Sequence, residues 1–118
     1  MVCELTVAPG HAPTTSPQLA ERLCLRFPNL PAHTCINPEG DSFASVMAHT
    51  SLPHLLEHLV IELQAQTSGD SSTTFVGTSE WTDEKTGRAR IEVNFADDLS
   101  ALRAFRDAVE ILNAALLE

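Results

Sequence analysis

Between residues 52 and 64 the chain reads LPHLLEHLVIELQ, with Leu52, Leu55, Leu56, Leu59, Val60 and Leu63 at helical spacing. The pattern predicts an α-helix over residues 52–66 with a broad apolar face. Ser51 is its candidate N-cap, and Pro53 is tolerated in the first turn. An earlier helix is expected after Thr15 or Ser16, with Pro17 in its first turn and Leu19, Ala20, Leu23 and Phe27 on one side, ending before PNLP. A last helix is expected after Asp97 or Asp98, with Leu102, Phe105, Val109, Leu112 and Leu116 as its apolar positions.

Alternation marks the strands. CELTVA (residues 3–8) and AHTCI (residues 32–36) read as short strands, and a hairpin is expected from strands near 73–80 and 88–96 joined through TDEKTG. In the second of these, Ile91, Val93 and Phe95 take one face and Arg90, Glu92 and Asn94 the other. PGHAPTTSP, NPEGDS and TSGDSSTT read as a loop, a turn and a solvated connection, and FASVMAH as weakly helical or irregular. The order β-α-β-α-β-β-α predicts an α+β fold, a small sheet with helices packed on one face, in a single domain over residues 1–118.

Charge and composition narrow the function classes. A formal net charge of −9 disfavours nucleic acid and anionic membrane surfaces, since both reward a basic face. No apolar run is long enough to span a bilayer, and MVCELTV lacks the basic-then-apolar pattern of a signal peptide. Cys3, Cys24 and Cys35 are odd in number and widely spaced. That points to reduced, mostly buried thiols in a cytoplasmic protein. With no Tyr and one Trp, an aromatic platform for bases or sugars is not expected.

The helix at 52–66 also carries His54, Glu57 and His58, an H-x-x-E-H pattern. At about 100° per residue the two histidines stack about 40° apart, with Glu57 beside them on the polar stripe opposite the leucines. Two imidazoles so placed can grip one zinc ion, and the neighbouring carboxylate can act as general base toward water. The alternative is an amphipathic helix with a solvated polar face. Glu62 lies about 12 Å along the axis from His54, too far to share a metal with both histidines. It can orient His58 as a hydrogen-bond acceptor or simply be solvated. His33 and Cys35 share a strand face, as a soft ligand or nucleophile, or as a buried cysteine beside a hydrogen-bonded histidine. Arg88 and Arg90 either hold a substrate carboxylate or keep an edge soluble. Neither a G-x-S-x-G elbow nor a phosphate-binding glycine loop is present.

With its surroundings, this helix resembles part of the N-terminal domain of cyanophycin synthetase. FPNLPAHTC (residues 27–35), HTSLPHLLEHLVIELQ (residues 49–64), GTSEW (residues 77–81), IEVNFADD and ALRAFRDAVEIL are similar to that family's motifs, over roughly residues 14–116. The resemblance implies a zinc-dependent hydrolase that cuts the Asp-Arg polymer cyanophycin, with an H-x-x-E-H helix similar to that of M16-type metallopeptidases and S-ribosylhomocysteinase. His54 and His58 would then ligate zinc, and Glu57 would be the catalytic base. The third ligand stays open between Glu92, Asn94 and Glu110. Asn94 stands where family members often have an acidic residue, and Ser79 follows Thr78 where the family pattern has Arg. The 118 residues hold no ATP-grasp or Mur-ligase-like region, so polymer synthesis is not expected of them.

Two functions follow as expectations. One is a zinc hydrolase acting on peptide or isopeptide bonds, including Asp-Arg material, with cationic substrate drawn to an acidic protein. The other is a non-catalytic structural or protein-interaction module that keeps the fold. A homo-oligomer would supply substrate walls that a short chain lacks.

Overall fold

The computed structural model describes residues 1–68 and 73–118. Its elements run β1 (Val2–Thr6), α1 (Pro17–Arg26), β2 (Thr34–Asn37), β3 (Gly40–Ser42), α2 (Leu52–Thr67), β4 (Gly77–Asp83), β5 (Arg88–Val93) and α3 (Asp98–Leu116), with short 3-10 turns at Leu30–Ala32 and Phe43–Ser45. The fold is α+β, as the patterning predicts. It has one more strand, because part of NPEGDS, expected as a turn, pairs back as β3 on β2 in a separate two-stranded hairpin. Of the expected connection TSGDSSTT, residues 69–72 lie outside the described residues.

β1, β5 and β4 form an antiparallel sheet in that order, with β5 central. Ala89, Ile91 and Val93 of β5 are buried while Arg88, Arg90 and Glu92 are exposed, the alternation expected of a sheet with one covered face. Two expectations shift here. β5 ends at Val93, so Phe95 falls beyond the ladder and is 45% exposed. β4 starts at Gly77 rather than near residue 73, since the pairing register of β5 decides where its partner begins. The turn between them closes on Gly87, whose φ of 74° suits glycine. A Cβ there would also lie 2.7 Å from the Val7 carbonyl oxygen.

α2 packs against β4 and β5 on one side and α3 on another. Ser51 caps it, its Oγ accepting from His54 N at 3.1 Å. Ser16 caps α1 in the same way through Leu19 N. For α3 the cap is Asp97 rather than Asp98, with Oδ2 accepting from Ser100 N at 3.0 Å.

The buried stripe of α3 departs from expectation. It consists of Ala101, Ala104, Phe105, Ala108, Leu112 and Ala115, whereas Leu102 and Val109 are 56% and 38% exposed. Both stripes keep helical spacing, but α3 presents its alanines to the core, which lets helix axes approach closely. Leu55, Leu59, Val60, Phe43 and Ile91, all 0% exposed, lie in one continuous apolar cluster that runs between α2, the sheet and the 3-10 turns. Among the described residues, no helix is long and apolar enough to cross a membrane.

Candidate metal centre

α2 does not present its polar stripe to water. Glu57, His58 and Glu62 are 4%, 3% and 5% exposed, because this side of the helix faces the turn before β2, the β2–β3 hairpin and β4. Buried polar groups need partners, and each has one. His58 Nδ1 lies 3.0 Å from His33 Nδ1. His33 Nε2 lies 2.9 Å from Glu62 Oε1, and Gln66 Nε2 donates to Glu62 Oε2 at 3.0 Å. Glu62 therefore reaches His58 through His33, neither directly nor by standing in solvent.

His54, the half-buried member, has Nδ1 2.8 Å from Thr50 Oγ1 and Nε2 3.5 Å from Cys35 Sγ. Phe43 fixes both rings: it stacks on His58 at 4.0 Å between centroids and meets His54 edge-on at 5.2 Å. Its own position follows from the 3-10 turn Phe43–Ser45, whose first N–H is donated to the His33 carbonyl at 2.9 Å.

The result is a three-residue cluster. Ligand atoms of Cys35, His54 and His58 all lie within 4.8 Å of one another, a group able to hold a metal ion. The donors suit a soft-to-borderline cation: one thiol sulfur and two imidazole nitrogens. Zinc–sulfur and zinc–nitrogen bonds of about 2.3 and 2.0–2.1 Å at tetrahedral angles imply a sulfur–nitrogen edge of about 3.6 Å. The Cys35–His54 separation of 3.5 Å fits that edge without rearrangement.

Glu57 closes the site from the other side. Its Oε2 is 3.9 Å from His58 Nε2, and it shares a side-chain hydrogen bond with Ser79 on β4. Burial pushes its carboxyl up to about 7, a rise that the Ser79 contact only partly offsets. Burial lowers His54, and it lowers His58 to about 3 with help from neighbouring His54 and His33. Both imidazoles are thus neutral at physiological pH, the form that ligates metals. Gly77 makes room for the carboxylate, since a Cβ there would sit 3.0 Å from Glu57 Cγ and 2.9 Å from the Glu92 carbonyl oxygen.

Cys35, His54, Glu57 and His58 line a cleft of about 970 Å³ whose far wall is Thr73–Ser79. Thr78 and His33 also line it; Glu92, Asn94 and Glu110 do not. Glu92 pairs with Arg90 at 3.5 Å on the exposed face of the sheet, and Glu110 is exposed on α3. Asn94 clamps the cleft wall. Its Oδ1 accepts from Val76 N at 2.7 Å while its Nδ2 donates to the Thr74 carbonyl at 2.9 Å. An aspartate accepts but cannot donate, so only the amide makes both bonds. Neither Arg88 nor Arg90 reaches the cleft.

Cys3, Cys24 and Cys35 are all free thiols, partly rather than fully buried. Cys24 rests against Met47, with its Sγ 3.7 Å from Sδ.

The chain matches the cyanophycin synthase-like N-terminal domain over residues 2–117. It belongs to that family. The match runs from β1 through α3, so it takes in the first strand as well as the motif-bearing segments from residue 14 onward. No curated protein matches the chain.

The sequence offered His33 and Cys35 as a soft ligand or nucleophile, or as a buried pair, but Cys35 was not among the candidates for the third metal ligand. It missed Ser79, Gly77 and Phe43. The available signal was the strand face expected to hold His33 and Cys35, although β2 begins only at Thr34 and His33 precedes it, just after the 3-10 turn. What it lacked was the knowledge that this hairpin folds over α2.

Proposed function

We propose that this member of the cyanophycin synthase-like N-terminal domain family is a zinc-dependent hydrolase of peptide or isopeptide bonds. The observation that carries the reading is the convergence of Cys35, His54 and His58 on one point, at the edge of a cleft and beside the buried carboxylate of Glu57. Zinc held by those three residues would supply Lewis acidity, polarising a carbonyl and activating water near neutral pH.

Glu57 takes the proton from the attacking water and returns it to the leaving amine. Its raised affinity for protons suits both halves of that transfer. Ser79 orients the carboxylate, and the close fit of Gly77 keeps it in place. The H-x-x-E-H helix supports a likeness to M16-type metallopeptidases, with Cys35 standing where another ligand would be. The hairpin supplies that cysteine from before α2 in the chain.

Asp-Arg material of the cyanophycin kind is the proposed substrate. Among the described lining residues Glu57 is the one carboxylate and there is no Lys or Arg. The chain carries a net charge of −9, which favours arginine-rich substrate over anionic substrate. A free thiol among the ligands suits a reducing, cytoplasmic setting.

Zinc content and hydrolysis test this together. Purified protein should carry one zinc per chain, lose it in the His54→Ala, His58→Ala double variant, and release arginine-containing fragments from cyanophycin or a β-linked Asp-Arg peptide. Zinc without hydrolysis would make the domain a metal-binding module. No zinc in the wild type would end the hydrolase reading.

A further inference from the structure

When both imidazoles are neutral, three contacts fix which nitrogen of His58 carries the proton. Glu62 as a carboxylate can only accept, so its 2.9 Å contact puts a hydrogen on His33 Nε2. Gln66 donates to the other Glu62 oxygen, which holds the carboxylate in this role. Neutral His33 then has a bare Nδ1. His58 Nδ1 lies 3.0 Å from it, and a hydrogen bond there requires the proton on His58 Nδ1. His58 Nε2 is left with its lone pair.

The opposite arrangement fails at its far end. A proton donated by His33 Nδ1 to His58 would leave a neutral His33 with two acceptors facing each other at 2.9 Å, inside a region where Glu62 and His33 side chains are 7% and 15% exposed. Water has little access there to relieve that clash.

We propose that Glu62 and His33 are positioning residues that hold His58 in its Nδ1-protonated tautomer, leaving the Nε2 lone pair free to serve in the Cys35–His54–His58 group. The purpose of this device rests on the zinc-site reading above; its geometry does not. It differs from the usual arrangement, in which a carboxylate or carbonyl bonds a ligating histidine directly, because a second imidazole is interposed. That imidazole comes from the segment that also carries Cys35. One stretch of chain, His33 to Cys35, thus supplies a donor to the metal group and the orienting partner of another. On the other side of the ring, Glu57 Oε2 stands 3.9 Å from His58 Nε2, farther than the 3.0 Å contact at Nδ1 and beyond hydrogen-bond range.

Long-range proton–nitrogen NMR on the zinc-free full chain at mildly alkaline pH reads the tautomers directly. Protonated Nδ1 on His58 and protonated Nε2 on His33 are expected; a proton on His58 Nε2 would overturn the proposal. Zinc affinity, measured by chelator competition, should fall about 10- to 100-fold in Glu62→Leu. Glu62→Gln should lose less, since its carboxamide oxygen accepts the same hydrogen. Undiminished affinity in Glu62→Leu would also overturn it. If the wild type binds no zinc, the hydrolase reading fails, while the tautomer spectrum still decides this proposal.

Discussion

The helices α2 and α3 lie against each other and both mix apolar with ionisable positions, yet they treat their polar residues in opposite ways. On α3 the side away from the core is wet, with Arg103, Arg106 and Glu110 all exposed. On α2 the corresponding stripe is buried, and Glu57, His58 and Glu62 sit deeper than many apolar side chains of the protein. An ionisable group removed from water without a partner costs several kcal/mol or gives up its charge. Both remedies are visible on α2. His33 and Gln66 partner Glu62, Thr50 partners His54, and burial favours the neutral forms of His58 and Glu57. Apolar residues of matched volume often pack at least as stably as buried ionisable ones, so the buried polar stripe supports the proposed chemistry.

The comparison can be broken most severely by exchanging a single carboxylate for its amide on each helix. Glu57→Gln should lower hydrolysis about 100- to 10,000-fold, the range for losing a general acid–base, with zinc still bound. Glu110→Gln should leave kcat unchanged. Equal activity in the two variants would remove Glu57 from the mechanism. Truncating the apolar sides makes the next largest contrast. Leu59→Ala, at 0% exposure, should cost about 2–5 kcal/mol in urea unfolding. Leu102→Ala, at 56% exposure, should stay within about 0.5 kcal/mol.

Proton linkage sharpens the contrast in zinc-free protein. Glu57 has its affinity raised from 4.5 to about 7. Between those values the folded chain holds a proton that the unfolded chain has lost, so stability falls as pH rises through the window. His58 is lowered from 6.5 to about 3. There the unfolded chain binds the extra proton, and stability falls as pH drops. From 4.5 to 6.5 the two slopes oppose each other. Glu57→Gln removes only the first, and should stabilise the zinc-free protein above pH 7 by on the order of 3 kcal/mol, with little gain below pH 4.5. Thermal melts in chelator at the two extremes measure this; a gain independent of pH would contradict it.

The smallest effect concerns Asn94. Asn94→Asp should cost about 1 kcal/mol, because the donor to the Thr74 carbonyl is lost, and should leave zinc affinity unchanged. Tighter zinc binding in that variant would make position 94 a ligand position after all.

Much of this was legible along the chain. The 52–66 helix was readable with its Ser51 cap, since capping and helical periodicity are local properties. So was the H-x-x-E-H triplet, because neighbours on one helix need no tertiary information to meet. The inward face of β5 was readable as far as Val93. Other features were not. On α3, Phe105 and Leu112 were read correctly, but Leu102, Val109 and Leu116 stood in for Ala101, Ala108 and Ala115, because leucine and valine outweigh alanine in any hydrophobicity pattern, while close helix packing favours alanine. Asn94 stood among the candidate third ligands, whereas its side chain bonds the backbone of Val76 and Thr74 on the cleft wall.

By itself, then, the sequence determined which residues share a turn or one side of an extended stretch: His54 with Glu57 and His58, and His33 with Cys35. Those relations follow from backbone geometry within a few residues. Only the tertiary structure decided that the second set lies over the first, with Cys35 beside His54 and His33 between His58 and Glu62. That depends on the β2–β3 hairpin folding across α2, a contact between segments some twenty to thirty residues apart. No local period records such a contact, because it joins side chains of segments that are distant along the chain and meet only when the helix and sheet have packed.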